Sequence, residues 1–126
     1  MPRFGELEAS IMDRVWAATD AVSVREVVTA LHAERPAAYT TVQTVMEILH
    51  RKGWLTRQRD GRAYLYRATA SRADYIARLM DEALAGTHDR STALAAFVER
   101  MDPGEADELR RALDAARSGS RDAQQP

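Results

Sequence analysis

The sequence predicts a mainly α fold carrying one small β-hairpin. Apolar residues recur at helical spacing along most of the chain, the period shortens to two only around Asp60-Gly61, and Gly or Pro marks most of the changes. Leu7, Ile11, Met12, Val15 and Trp16 make the first amphipathic pattern, roughly Gly5–Ala18, which Thr19-Asp20-Ala21 breaks. Ser23-Val24-Arg25-Glu26 then has the capping-box spacing, Ser to accept from the N–H three residues on and Glu to reach back. Val24, Val27, Val28 and Leu31 form the apolar face of that second helix, and Pro36 ends the element. The third pattern, Val42, Val45, Met46 and Leu49, closes with Arg51-Lys52-Gly53, a basic last turn followed by glycine.

Beyond Gly53, Trp54–Arg59 and Arg62–Ala68 read as two short strands. With Asp60-Gly61 as a two-residue loop, Arg59 would face Arg62, Arg57 would face Tyr64 and Leu55 would face Tyr66. The rest is helical in pattern. Ser71 with Asp74 opens a helix bearing Tyr75, Ile76, Leu79, Met80 and Leu84 before Gly86. Asp89-Arg90-Ser91 opens another with Leu94, Phe97, Val98 and Met101 on one face. Asp102-Pro103-Gly104-Glu105 starts a last one through Ala106, Leu109, Leu113 and Ala116. From Ser118 the Ser-, Gly- and Gln-rich tail is expected to be disordered. The expected organisation is therefore residues 1–70, 71–117 and a tail, 118–126.

At 126 residues the chain has room for one modest core, not for a cofactor-binding domain beside a substrate domain. It contains no cysteine, which excludes thiolate zinc sites, Fe–S ligation and cysteine nucleophiles. His32, His50 and His88 fall on separate elements without ligand spacing, so no metal is expected. Neither a Gly-rich phosphate loop nor an acid–base constellation is present, so an enzyme is the poorest reading and no cofactor is called for. No apolar run is long enough to span a bilayer, and Met1–Glu6 lacks a signal-peptide stretch. A cytoplasmic protein is the expectation.

The net charge of −1 conceals an asymmetry. Residues 1–70 hold ten Lys and Arg against eight Asp and Glu, whereas residues 71–126 hold eight against eleven. Glu47–Ala68 alone carries six positive residues and two negative, which suits a polyanion there. On the third helix Thr40, Gln43, Thr44, Glu47 and Arg51 line up opposite the apolar stripe, with Thr41 at its border. Short hydroxyl and amide groups near a helix N-terminus can read base edges in a major groove, and the free N–H groups can meet a phosphate. The same stripe also suits a solvated helix face, and Thr40 with Gln43 also fits a second capping box. Arginines at a hairpin tip make sense if a phosphate backbone comes between them, although screened surface charge is the plainer account. Tyr64, Tyr66, Trp16 and Trp54 suit packing on the helices better than stacking on bases.

Three helices and a basic hairpin make a winged helix-turn-helix, with Thr40–Lys52 as recognition helix and Arg57–Arg67 as wing. Four segments make the resemblance specific: Glu6-Leu7-Glu8-Ala9-Ser10-Ile11-Met12-Asp13-Arg14-Val15-Trp16, Val24-Arg25-Glu26-Val27, Ala38-Tyr39-Thr40-Thr41-Val42-Gln43-Thr44-Val45 and Arg51-Lys52-Gly53-Trp54-Leu55. Together they resemble the BlaI/MecI family of penicillinase repressors, over about Gly5–Arg117. The resemblance implies a dimeric repressor that binds a palindromic double-stranded operator in a β-lactam response. Base readout would fall to Thr40, Thr41, Gln43 and Thr44, with Tyr39 and Glu47 also among the DNA-binding residues, and phosphate contacts to Arg51, Lys52, Arg57, Arg59 and Arg62. It assigns homodimerisation to the C-terminal helices, here Tyr75, Ile76, Leu79, Met80, Leu94, Phe97, Val98, Met101, Leu109 and Leu113. These faces could instead fold back on the winged helix of the same chain. The resemblance further implies release by a membrane-bound sensor metalloprotease cutting at Ala96–Phe97, where staphylococcal members carry Asn in place of Ala96. The copper-responsive branch of the superfamily binds its metal through cysteines, which this chain lacks. A winged-helix regulator switched by a small effector and a protein–protein adaptor are the alternatives; the adaptor would need an apolar patch where Thr40, Gln43, Thr44 and Glu47 stand.

Overall fold

The structure, a computed structural model, describes residues 4–124, with side chains to residue 119. Its elements follow the order α1 (Glu6–Ala17), α2 (Val24–Leu31), α3 (Tyr39–Arg51), β1 (Leu55–Asp60), β2 (Ala63–Ala68), α4 (Arg72–Ala85), α5 (Arg90–Glu99) and α6 (Pro103–Gln124). The fold is mainly helical with one two-stranded antiparallel sheet, as the hydrophobic periods predict. It divides into two compact units, Met1–Glu82 and Ala83–Pro126.

The first unit holds the core. Ile11, Met12 and Val15 of α1, Val27 and Leu31 of α2, and Val42, Met46 and Leu49 of α3 are buried together with Val22, Val24, Trp54, Leu55 and Tyr66. Among the described residues no polar or charged side chain is buried, so this core rests on apolar burial alone. Capping then places the helices. Ser23 Oγ accepts from the Glu26 N–H at 3.1 Å, as the capping-box spacing predicts, and the hydroxyl in turn donates to Glu26 Oε1. Gly53, at φ +89°, ends α3 in a left-handed turn. Its N–H bonds to His50 O and the Trp54 N–H to Leu49 O, the paired bonds of a Schellman motif. The Thr69 hydroxyl reaches across to Gly53 O at 2.7 Å, tying the end of β2 to this joint.

The hairpin forms, but one residue further along than Asp60-Gly61 suggests. Asp60 pairs with Ala63, Arg59 with Tyr64, Arg57 with Tyr66 and Leu55 with Ala68, leaving Gly61-Arg62 as the loop. Gly61 has φ +64° and no non-glycine residue has positive φ among those described, so only the first loop position is left-handed. That is the type II′ arrangement, in which glycine takes the first central place. The facing arginine pair at positions 59 and 62 therefore does not exist. Val22 adds an isolated antiparallel bridge to β2: its N–H and C=O bond to the Tyr66 C=O and N–H at 2.9 and 2.8 Å.

The first compact unit runs to Glu82, and Tyr75 explains why it takes in the start of α4. Its ring stacks on Phe4 at 4.3 Å with planes 7° apart, and packs edge-on to Trp54 at 5.2 Å. Tyr75 Oη also accepts the Phe4 N–H at 3.0 Å, while Trp16 Nε1 donates to Ala70 O at 2.9 Å. Arg72 pairs with Asp13 at 3.0 Å and lies over the Trp16 ring. The start of α4 is thereby part of the first unit, and Tyr75, expected at a dimer contact, is half-buried within the chain.

Of the other apolar residues beyond residue 70, Ile76, Met80, Leu94, Phe97, Val98 and Leu113 remain roughly half exposed. Asp89 caps α5, accepting from the Thr92 N–H and hydroxyl, and Asp102 caps α6 through the Glu105 N–H at 2.8 Å. The tail expected to be disordered from Ser118 continues α6 to Gln124; Gln125 and Pro126 lie outside the described residues. Serine and glycine weaken a helix by at most about 1 kcal/mol each, and extending a nucleated helix adds one hydrogen bond per residue.

Two outcomes follow from this packing. Leu49→Ala, which empties a fully buried site, should lower unfolding stability by about 2–5 kcal/mol in urea denaturation. The bonds from Thr92 hold the Asp89 carboxyl below its ordinary pKa, so its contribution is present above the unfolded pKa and is lost as pH falls through the folded one. The Thr92 amide proton shift should therefore titrate with a midpoint below the ordinary carboxylate value, and Asp89→Asn should abolish that titration.

Candidate nucleic-acid interface

Burial of Val42, Met46 and Leu49 dictates which side of α3 meets solvent. Thr40, Thr41, Gln43, Thr44, Glu47 and Arg51 are all exposed, as the stripe of short polar residues predicts. Ala38 occupies the N-cap without a side-chain bond, so Thr40 and Gln43 do not form a second capping box. The first-turn N–H groups of α3 thus point outward with no capping side chain, a favourable place for an anion. Thr44 donates its hydroxyl to Thr40 O at 2.9 Å, leaving that oxygen to the outside as an acceptor.

The wing closes one side of this face. Gln43, Glu47 and Tyr39 of α3, Arg62 and Tyr64 of the wing, and Ser23 and Arg25 of α2 line one cleft of about 380 Å³. Arg25 is the residue the sequence reading missed. It sits in the first turn of α2 with its guanidinium 5.8 Å from the exposed Tyr39 ring, and the signal lay in the Ser23-Val24-Arg25-Glu26 cap itself. Arg25 is the second residue of α2 and lines the same cleft as Tyr39, the first residue of α3. Arg67, also exposed, lies on the outer face of the hairpin, opposite the side bearing Arg57 and Arg59.

The five cations expected on phosphates are placed differently from one another. Arg51 is exposed on the stripe, and Arg62 is exposed in the wing loop. Arg59 is exposed too, but its Nε donates to Gly61 O at 3.2 Å and so braces the loop. Lys52 turns back toward α1, its Nζ 3.5 Å from Glu8 Oε2. Arg57 lies on the inner side of the hairpin, its guanidinium 4.1 Å from the Tyr64 ring centre and its Nη1 3.4 Å from Tyr66 Oη. The hydrogen bond it donates to Tyr66 Oη is the main reason its pKa stands above the ordinary guanidinium value, and the charge of Glu47 acts in the same direction. Tyr66 is buried and Tyr64 half-buried, so both tyrosines pack inward as their alternation with outward residues predicts.

The exposed apolar residues expected at a dimer contact lie on α4, α5 and α6, whereas Leu79, Met101 and Leu109 are partly covered within the chain. Ala96 and Phe97 fall inside α5, where both are exposed. No described helix is long and apolar enough to cross a membrane. Among the described residues no three His, Asp or Glu side chains come together as a metal site would require.

Residues 4–115 match the family described as penicillinase repressor. The chain is 45% identical over 116 residues to the transcriptional regulator BlaI of Mycobacterium tuberculosis, in both the CDC 1551 and H37Rv strains, covering 90% of this chain and 84% of that protein. The solution structure of the DNA-binding domain of the repressor BlaI superposes with a TM-score of 0.52 at 26% identity, over 59% of this chain and 89% of that one. A transcriptional regulator from Thermotoga maritima shares the fold at a TM-score of 0.50 and 16% identity, over 97% of this chain and 80% of that one. With an outward polar helix beside a basic wing, and with matches that extend over nearly its full length, the chain belongs to the penicillinase repressor family of winged-helix, DNA-binding transcriptional repressors.

Proposed function

We propose that the chain acts as a cytoplasmic homodimer that represses transcription by seating α3 in the major groove of a palindromic operator. One observation carries this reading: Tyr39, Gln43 and Glu47 of α3, the N-terminus of α2 and the wing loop line one cleft that holds Arg25 and Arg62. In this arrangement Thr40, Thr41, Gln43 and Thr44 meet base edges, where amide and hydroxyl groups can both donate and accept. Glu47 is the one acid on the face and is suited to accept from a cytosine amino group. Arg51, Arg59 and Arg62 meet phosphates on either side, and Tyr39 lies at the rim with Arg25.

The exposed Leu94, Phe97, Val98 and Leu113 of the second unit are the residues we assign to contact with a second copy; Ile76 and Met80, on the part of α4 within the first unit, are exposed apolar residues of their own. Two-fold pairing presents two α3 helices to half-sites related by the same symmetry, so that operator palindromy mirrors the dimer. Release follows from cutting Ala96–Phe97 by a membrane-bound sensor metalloprotease. That bond lies within α5, so the helix must open locally before a protease can bind it. Cutting there separates α6 from the winged helix and removes the gain from two linked half-site contacts.

Removing one phosphate contact lowers the salt dependence of binding by about 0.9 in log K against log salt. Arg62→Ala should show that loss on any duplex, measured by fluorescence anisotropy across a salt series. Gln43→Ala should leave the slope unchanged and alter preference at particular base pairs by about 1–3 kcal/mol. Sedimentation of the intact protein should show a dimer that Phe97→Asp shifts toward monomer. A protein that sediments as a monomer at every concentration would remove the two-fold reading. Cells exposed to a β-lactam should yield a fragment whose new N-terminus, by mass spectrometry, is Phe97.

A further inference from the structure

Three arginines in the wing invite the same assignment, yet their surroundings separate them. Pairing of Arg57 with Tyr66 puts Arg57 on the hairpin face that carries the buried Leu55 and Tyr66, not on the outer face with Thr56, Gln58 and Arg67. There its guanidinium lies 4.1 Å from the Tyr64 ring centre and bonds to Tyr66 Oη. Tyr66 is itself fixed, 2% exposed and doubly bonded through its backbone to Val22. Tyr64 and Tyr66 line the same cleft as Gln43 and Glu47 of α3, so the arginine sits where the wing faces the reading helix. The charge of Glu47 acts on Arg57 from across that gap. Arg62, by contrast, is exposed in the loop, and Arg59 bonds to Gly61 O and lies 5.7 Å from the Tyr64 ring centre, farther than Arg57.

We infer that Arg57 is a positioning residue that holds the wing at its angle to α3 through Tyr64 and Tyr66, and that it makes no phosphate contact of its own. The flat guanidinium is what the place requires. It can stack on one ring while an N–H reaches the hydroxyl of the next, whereas an ammonium group offers charge without a plane. A wing freed from this contact still reaches the backbone with Arg59 and Arg62, but it gives up orientational freedom on binding, which weakens affinity without removing a phosphate contact. The inference rests on the DNA-binding reading above, and its test separates the two.

The full-length protein is titrated with a synthetic duplex of the DNA upstream of its own gene and with a scrambled duplex, over a salt series. Arg57→Lys keeps the positive charge, so a phosphate contact would survive it. Positioning predicts instead that Arg57→Lys weakens binding about tenfold at every salt concentration, with the parent's slope and an unchanged melting temperature. Arg57→Gln should show the same loss and the same slope. Tyr64→Leu removes no charge, yet it should cost as much and add nothing further in the Arg57→Lys background. The inference is overturned if Arg57→Lys binds within about twofold of the parent, if Arg57→Gln flattens the slope by about 0.9, or if the Tyr64 and Arg57 losses add. Should the parent itself show no salt-dependent binding, or should Arg62→Ala leave its slope unchanged, the DNA-binding assignment of the wing fails instead.

Discussion

The third helix can be buried on one side only, and the interface depends on that constraint. Val42, Met46 and Leu49 are fully buried in the core shared by α1 and α2, and each turn of α3 that buries them turns Thr40, Gln43, Thr44 and Glu47 toward solvent. Rotating the helix forward by a single residue, about 100°, would put Gln43, Glu47 and His50 where Val42, Met46 and Leu49 now sit, in a core with no buried polar partner for them among the described residues. Apolar burial therefore does two tasks with one set of residues: it stabilises the first unit and aims the polar face. The aim does not depend on any charge on that face, so substitutions among Thr40, Gln43, Thr44 and Glu47 leave the presentation of the helix intact.

Much of this was legible because it is periodic. Helical spacing in residues 7–16, 24–31 and 42–49 located three helices to within one or two residues; Ser23 marked the start of α2, Gly53 the end of α3, and Asp89 and Asp102 the starts of α5 and α6. The outward set on α3 followed from the same period. Other features depended on contacts that spacing alone cannot report. The loop slid by one residue because glycine is needed where φ is positive, and Asp60-Gly61 and Gly61-Arg62 both offer one. Since register decides which residues oppose each other, that slip changed the partner of every arginine in the wing. Tyr75 reads as one more apolar residue on a helix, and nothing local reveals that Phe4, seventy-one positions away, stacks on it. Val22 lies in a segment too short to show a strand period, yet it supplies a rung to β2.

The aromatic cluster of Phe4, Trp16, Trp54 and Tyr75 extends the core of the first unit, since Trp54 belongs to that core and the other three rings pack against it. Its rings lie 4.3–6.3 Å apart in tilted, edge-on and stacked arrangements, the separations at which aromatic quadrupoles attract. Two arginines complete it from the solvent side, Arg72 over Trp16 and Arg78 over Trp54. Because Trp54 follows directly on the Schellman turn, this cluster also braces the C-terminal end of α3. The leading turns of α4 therefore share their support with the reading helix, which is why the first unit extends to Glu82.

Between the last turn of α3 and the first residue of β1 there are only three residues, Lys52, Gly53 and Trp54, each held by a backbone hydrogen bond, and the Thr69 hydroxyl clasps the same corner from the other strand. Such a corner behaves as a rigid bracket, not a tether. Relatives built on the same bracket would be free to acquire new target sequences by repainting the solvent side of one helix, because the span from that helix to the hairpin loop is counted in residues and stays constant while the lettering changes.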